Sequence, residues 1–226
     1  MYKQALFLFI NVALMATMPL NVKGQFMQDV QGNVVRSIKY TDVQGNPYLF
    51  EQWVNGTIRL GNGKSYTNVP LRYDIVSDEL QFKDSKSDQA LNFKEPVVEF
   101  QLMPATESGE SPMMFRNGFI SDDGTSPKAY YQVLFDGGLK LLKRKTKIIF
   151  ENREYSSAIT TKTFREEEYY YLYKNNKTIK IKKDKKQVLT ALADRVTELE
   201  AFIKSNALNL KNESDLVRLI AHYNSL

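Results

Sequence analysis

The sequence predicts a mainly β fold of α+β type: an antiparallel sandwich or partly open barrel, ending in a C-terminal helical hairpin. Three observations carry this. Short β-prone runs alternate with turn residues from Trp53 to Lys182. In the last of these runs, Lys177 to Lys182, the apolar period is two, the period of a half-buried strand. From Asp184 onward the period changes to that of a helix.

The elements follow in order. Residues 25–52 are weakly patterned, with Val34, Ile38 and Tyr40 placed to lie on a strand and Gly45-Asn46-Pro47 reading as a turn. Trp53 to Leu60 and Lys64 to Tyr66 flank Gly61-Asn62-Gly63, and an Asn-Gly pair between such runs signals a hairpin because both residues accept positive φ. Val69 to Val76 and Glu79 to Lys83 flank Ser77-Asp78. Gln89 to Phe93 and Val97 to Leu102 follow, with Pro96 at a strand start, where its missing N–H is tolerated. Met114 to Ile120 lies between two loops rich in Pro, Ser, Gly and Asp, 104–112 and 121–127. Ala129 to Phe135, the turn Asp136-Gly137-Gly138 and Leu139 to Phe150 form the clearest hairpin. The second of these strands alternates imperfectly, which predicts a twisted or edge position. Glu168 to Tyr173 and Lys177 to Lys182 form a last hairpin, with Ile179 and Ile181 on one face.

Asp184 and Gln187 have capping-box spacing. Val188, Leu189, Leu192, Val196, Leu199 and Ile203 then make one apolar stripe along a first helix. Asn212 starts a second helix, with Glu213 and Asp215 favourable in its first turn. Its stripe is Leu216, Val217, Leu219, Ile220 and Tyr223. The expected organisation is therefore a leader over 1–24, an antiparallel β-rich domain over 25–183 and a helical hairpin over 184–226 packed on it.

The leader is read from its three regions. Lys3 supplies the positive start, Ala5 to Leu20 the apolar run, and Val22 and Gly24 the small residues of a cleavage site. The run is too short and too interrupted for a spanning helix, and no later stretch is long and apolar enough to make one. Export is thus expected, to the periplasm, the outer membrane surface or the exterior.

Composition excludes much chemistry. The chain has 226 residues, no Cys and one His. Thiol nucleophiles, Cys-ligated zinc, iron–sulfur clusters and disulfides are excluded together. With His222 alone, a His-based triad or multi-His metal site cannot form within one chain. No phosphate loop, dinucleotide fingerprint or nucleophile elbow is present, and no cofactor is expected.

Charge is uneven. The net charge is +5, and loss of Lys3 and Lys23 with the leader leaves +3. Residues 25–138 hold 10 basic and 15 acidic residues, whereas 139–186 hold 15 basic and 6 acidic. The basic segment nominates Lys143, Arg144, Lys145, Lys180 and Lys182, with Tyr171 as a stacking face, as a surface for an anionic ligand. Envelope glycan, lipopolysaccharide or another envelope protein is the expected partner; nucleic acid is not. The competing reading is a solvated hairpin face on which Glu166, Glu167 and Glu168 pair across strands with these lysines. Paired carboxylates at Asp74, Asp78 and Glu79, or at Asp122 and Asp123, would suit glycoside hydrolysis. Each is also a simple turn residue. Tyr48, Phe50 and Trp53 could stack a sugar or pack a core.

The segments Gly61 to Asp74 (GNGKSYTNVPLRYD) and Tyr131 to Leu142 (YQVLFDGGLKLL), and the ending Leu216 to Leu226, resemble a family of uncharacterised exported proteins of Bacteroidota-type bacteria. The resemblance covers most of the chain after the leader. It implies a Gram-negative envelope or secreted location and transfers no functional residue. The sequence-level expectation is a non-enzymatic envelope protein with a binding or structural role, with a glycan-acting hydrolase as the alternative.

Overall fold

The computed structural model describes residues 32–35, 40–104, 112–153 and 160–226. The expected leader and Ile38 lie outside them.

The chain is mainly β, as the sequence predicts, with helices after the strands. Among the described residues the strands are β1 (Gly32–Val34), β2 (Val43–Gln44), β3 (Val54–Leu60), β4 (Ser65–Asp74), β5 (Glu79–Lys83) and β6 (Ala90–Phe93). They continue as β7 (Val97–Leu102), β8 (Met113–Arg116), β9 (Tyr131–Phe135), β10 (Lys140–Arg153), β11 (Thr160–Lys174) and β12 (Lys177–Ile181). All belong to one sheet in the order β1-β6-β5-β4-β3-β7-β8-β9-β10-β11-β12, and β2 pairs with β11. That last pair is parallel and every other is antiparallel. The sheet is not closed. It does curl: the β4–β5 turn reaches β10, where Lys147 N–H (3.1 Å) and Thr146 Oγ1 (2.9 Å) both donate to Ile75 O.

The local rules hold at most turns. Asp78 sits at φ 61° in the β4–β5 turn, and Asn175 and Asn176 are left-handed in the β11–β12 turn, as short polar side chains permit. The runs at Lys64–Tyr66 and Val69–Val76 are one strand, not two. Asn68, at φ 56°, supplies an irregularity within β4 opposite the register shift at Gly56–Ile58, so pairing continues through it.

The imperfect alternation in β10 has a specific cause. Leu141 and Leu142 are both fully buried, on opposite faces. Leu141 joins the helix-covered core with Leu139, Leu172, Val188, Leu199, Leu216 and Leu219. Leu142 joins Phe119, Ala129, Tyr131 and Tyr171, which pack on the other side. A third cluster fills the first half of the sheet, around Ile58, Leu71, Tyr73, Phe82, Phe100 and Phe115. β8 and β9 connect the two halves through only Phe115↔Gln132 and Arg116↔Tyr131.

The predicted helical hairpin is corrected to three helices: α1 (Lys185–Ala191), α2 (Val196–Ser205) and α3 (Glu213–Tyr223). The first stripe is continuous in burial but not in backbone. Leu192 leaves the helical region (φ −116°, ψ 41°), and a 3-10 turn spans Ala193–Arg195. The turn brings Asp194 to the Tyr223 hydroxyl (2.6 Å) and to Lys174 (3.3 Å). Asp184 caps α1 as predicted, accepting from Gln187 N–H at 3.1 Å. Asn212 precedes α3 without a side-chain cap.

The C-terminus locks the β9–β10 turn. Asn224 Oδ1 accepts from Leu139 N–H (2.9 Å), while its Nδ2 donates to Leu139 O (2.9 Å) and Ile220 O (2.8 Å). A Cβ on Gly137 would stand 2.6 Å from that Oδ1, so the approach requires glycine.

Candidate functional site

The six residues nominated by sequence do not form one surface. Lys143 points to the helix side and pairs with Glu213 (2.6 Å) and Glu168 (3.0 Å). Arg144, next in the strand, pairs on the other side with Asp78 at 2.7 Å. Lys145 pairs with Glu166 at 2.7 Å. Lys180 lies 3.7 Å over the Tyr169 ring and 3.8 Å from Asp123. Lys182 is exposed. Tyr171 is 1% exposed; its hydroxyl donates to Asp123 Oδ2 at 2.9 Å, and its ring meets Tyr131 edge-on at 5.2 Å. Its ring therefore has no open face for stacking. Most of this positive charge is met inside the chain, as the cross-strand glutamates foreshadow.

The other nominated positions also have internal partners. Arg72 lies 4.0 Å from the Tyr48 ring centre and 4.4 Å from that of Trp53, and Phe50 packs on the first core. His222 stacks on Phe202 at 3.9 Å. Asp74, 2% exposed, accepts from the Tyr40 hydroxyl (3.2 Å) and from the N–H groups of Val76 (2.9 Å) and Ser77 (3.0 Å). Asp123 accepts from Ser121 (2.7 Å), Thr125 N–H (3.1 Å) and Tyr171. Burial opposes its charge, but these donors outweigh burial and hold its carboxyl well below the usual range. Among the described residues no group of His, Asp and Glu is placed to hold a metal ion.

Asp78 has a different setting. It accepts from the Tyr73 hydroxyl, from Arg144 and from Tyr130 N–H (3.3 Å). It also borders a cleft of about 520 Å³, formed where β5 and β6 face the start of β7 and the segment before β9. Glu79, Asn92, Phe93, Glu95, Lys128 and Tyr130 are among the residues that line it. Asn92 Nδ2 donates to Glu79 at 3.4 Å, while its Oδ1 is buried with no hydrogen-bond partner. Asn117 Nδ2 and the Tyr130 hydroxyl both donate to Val97 O (2.9 and 2.8 Å), tying these lining residues to the start of β7.

No family model, curated protein or solved structure matches this chain.

Sequence reasoning had marked Asp78 and Glu79 but not Asn92, Glu95, Asn117 or Lys128. These come from three separated segments, and only the tertiary fold assembles them with Asp78 and Glu79. No spacing rule joins residues that meet through the β5–β6 hairpin and the β7 crossover.

Buried phenols give a first expected result. Burial, then hydrogen bonds to Glu168 and Glu213, pushes Tyr170 far above its ordinary value, and burial is also the main cause for Tyr73, Tyr130 and Tyr171. Burial takes Tyr40 up to about 12. A raised phenol stabilises the fold below the unfolded value of about 10 and loses that contribution as pH climbs through the folded value. In an alkaline titration followed by phenolate absorbance and circular dichroism, these five tyrosines should stay protonated until the sheet signal collapses. Ionisation of all 13 tyrosines near pH 10 in the folded protein would refute this.

Proposed function

We propose that the chain is an exported, non-enzymatic protein of a bacterial cell envelope, and that it binds a neutral glycan in the cleft beside β5, β6 and β7. One observation carries the choice of site. The cleft combines apolar and aromatic surface at Phe93, Pro96, Val97 and Tyr130 with amide and carboxylate groups at Asn92, Glu79 and Glu95. That mixture of apolar wall and few polar groups is typical of small-ligand sites. Asn92 Oδ1 is buried beside the cleft without a hydrogen-bond partner, so a sugar hydroxyl reaches it only if the side chain turns outward, a move that relieves the cost of an unsatisfied acceptor. Asp78, Glu79 and Glu95 outnumber Lys128, which favours a neutral ligand over an anionic one. Export rests on the leader-like start and on the family resemblance.

The test is calorimetric titration of the purified protein with a panel of neutral and anionic oligosaccharides. A neutral glycan should bind, and Asn92→Ala or Glu95→Gln should weaken binding at least tenfold while circular dichroism is unchanged. No binding across the panel, or binding insensitive to both substitutions, would sink the proposal.

The hydrolase reading keeps one specific support: Asp78, Glu79 and Glu95 share this cleft, and two carboxylates suffice for glycosidic cleavage. It would show itself as turnover in the same panel, abolished by Glu79→Gln or Glu95→Gln. Asp78 is the poorer candidate, because Arg144 and Tyr73 already occupy its oxygens.

A further inference from the structure

One arginine is held in place without an acidic partner. Leu71 and Tyr73 join the first core, so Arg72, between them on β4, points to the opposite face of the sheet. Gln81 lies across from it on β5 and accepts from Nη2 at 3.3 Å. The Tyr48 and Trp53 rings cover the guanidinium, their centres 4.0 and 4.4 Å from Cζ. The backbone places both rings. Tyr48 bridges Asp74, and Lys147 Nζ holds its carbonyl at 2.7 Å. Trp53 directly precedes Val54, which pairs with Leu71.

This group does little for the core. Tyr48 and Trp53 belong to none of the three hydrophobic clusters, and both are half-buried, as is Arg72. The other half-buried arginines among the described residues, Arg116, Arg144 and Arg195, each meet a carboxylate. Arg72 meets none there. Asp74, two residues on and on the same face, gives its oxygens to Tyr40, Val76 and Ser77. Arg72 Nε is buried without a partner; Nη1 has no partner either, and it is not buried.

A guanidinium held flat with an open end is preorganised for a planar anion. Its N–H groups match two carboxylate oxygens, and little side-chain freedom remains to be lost. We propose that Arg72 binds the carboxylate of an acidic sugar, a uronate, through the end formed by Nη1 and Nη2. One guanidinium carries one positive charge, which matches a carboxylate better than a phosphate dianion. Tyr48 and Trp53 flank that end with apolar ring surface for the C–H groups of the sugar. The choice of a sugar over a peptide carboxylate rests on the proposed glycan binding. The place of binding does not, because none of these three residues lines the cleft.

Trp53 is the one tryptophan of the chain, so its emission reports on this site. Glucuronate should change that emission saturably, with a millimolar dissociation constant that rises with salt. Glucose at the same concentrations should leave it unchanged. Arg72→Lys keeps the charge but loses the fork, and should weaken glucuronate binding about tenfold or more while circular dichroism is unchanged. Asn92→Ala, which alters the cleft, should leave the response intact, so the two sites succeed or fail separately. Inorganic phosphate and N-acetylglycine complete the panel and should act more weakly than glucuronate. These wild-type comparisons decide the matter even if Arg72→Lys does not fold. The proposal is overturned by no response to glucuronate up to about 50 mM, by an equal response to glucose, phosphate or N-acetylglycine, or by a folded Arg72→Lys that binds glucuronate undiminished.

Discussion

Replacing Phe100 with Ala is expected to lower folding stability by about 3–5 kcal/mol, the range for deleting a buried aromatic side chain. Phe100 is 0% exposed. It stacks on Phe115 at 4.7 Å and meets Tyr73 and Tyr130 edge-on at 5.3 and 4.9 Å. Both offset-stacked and edge geometries add to simple burial. It sits on β7 between β3 and β8, opposite Ile58 and Phe115, so no flexible segment lies beside it to collapse into the void. Tyr73 and Tyr130 also position Asp78, so the cleft should loosen together with the core. Denaturant unfolding gives the magnitude. A loss below about 1 kcal/mol would mean that the first core is far less tightly packed than these contacts state.

Arg144→Met should cost about 2–3 kcal/mol. The Arg144–Asp78 pair joins the middle of β10 to the β4–β5 turn, and both side chains are about one-fifth exposed (19% and 20%). Removing one partner of a buried pair leaves the other charge uncompensated. The residual exposure is why the expected loss falls below the full buried-pair range. Methionine keeps the stem's packing, so the change isolates the guanidinium. The double variant Asp78→Asn, Arg144→Met should recover part of the loss, because the stranded carboxylate is gone. Equal destabilisation in the single and double variants would show that Asp78 gains nothing from Arg144.

The legible parts of the fold were those written in local pattern. β5 and β7 run from Glu79 to Lys83 and from Val97 to Leu102, as the β-prone runs between turn residues indicated, and Asp184 caps α1. Reading failed where a residue answers to distant neighbours. The apolar stripe from Val188 to Ile203 contains no Gly or Pro, so nothing in it announces the break at Leu192; Tyr223 and Lys174 stabilise that break from elsewhere in the chain. The basic run around Lys143–Lys147 looked like one charged patch, because sequence cannot show that Glu213, Asp78 and Glu166 approach it from different sides. The cleft was the least visible feature, since its polar residues share neither an element nor a period.

The narrow join between β8 and β9 has a consequence for how the molecule comes apart. Two ladder pairs, bridged by Arg116 to Glu99 and Asp136, separate the hydrophobic cluster around Phe100 from the two that meet at β10. Such a seam divides a chain into cooperative units able to open at different free energies. The helices should then melt with β9 to β12, whose core they share, while β3 to β8 hold their own. Arg144 and Asp78 form one fastening across the line, beside the bonds of Thr146 and Lys147 to Ile75 O. They would govern how tightly the opening of one unit is tied to the opening of the other.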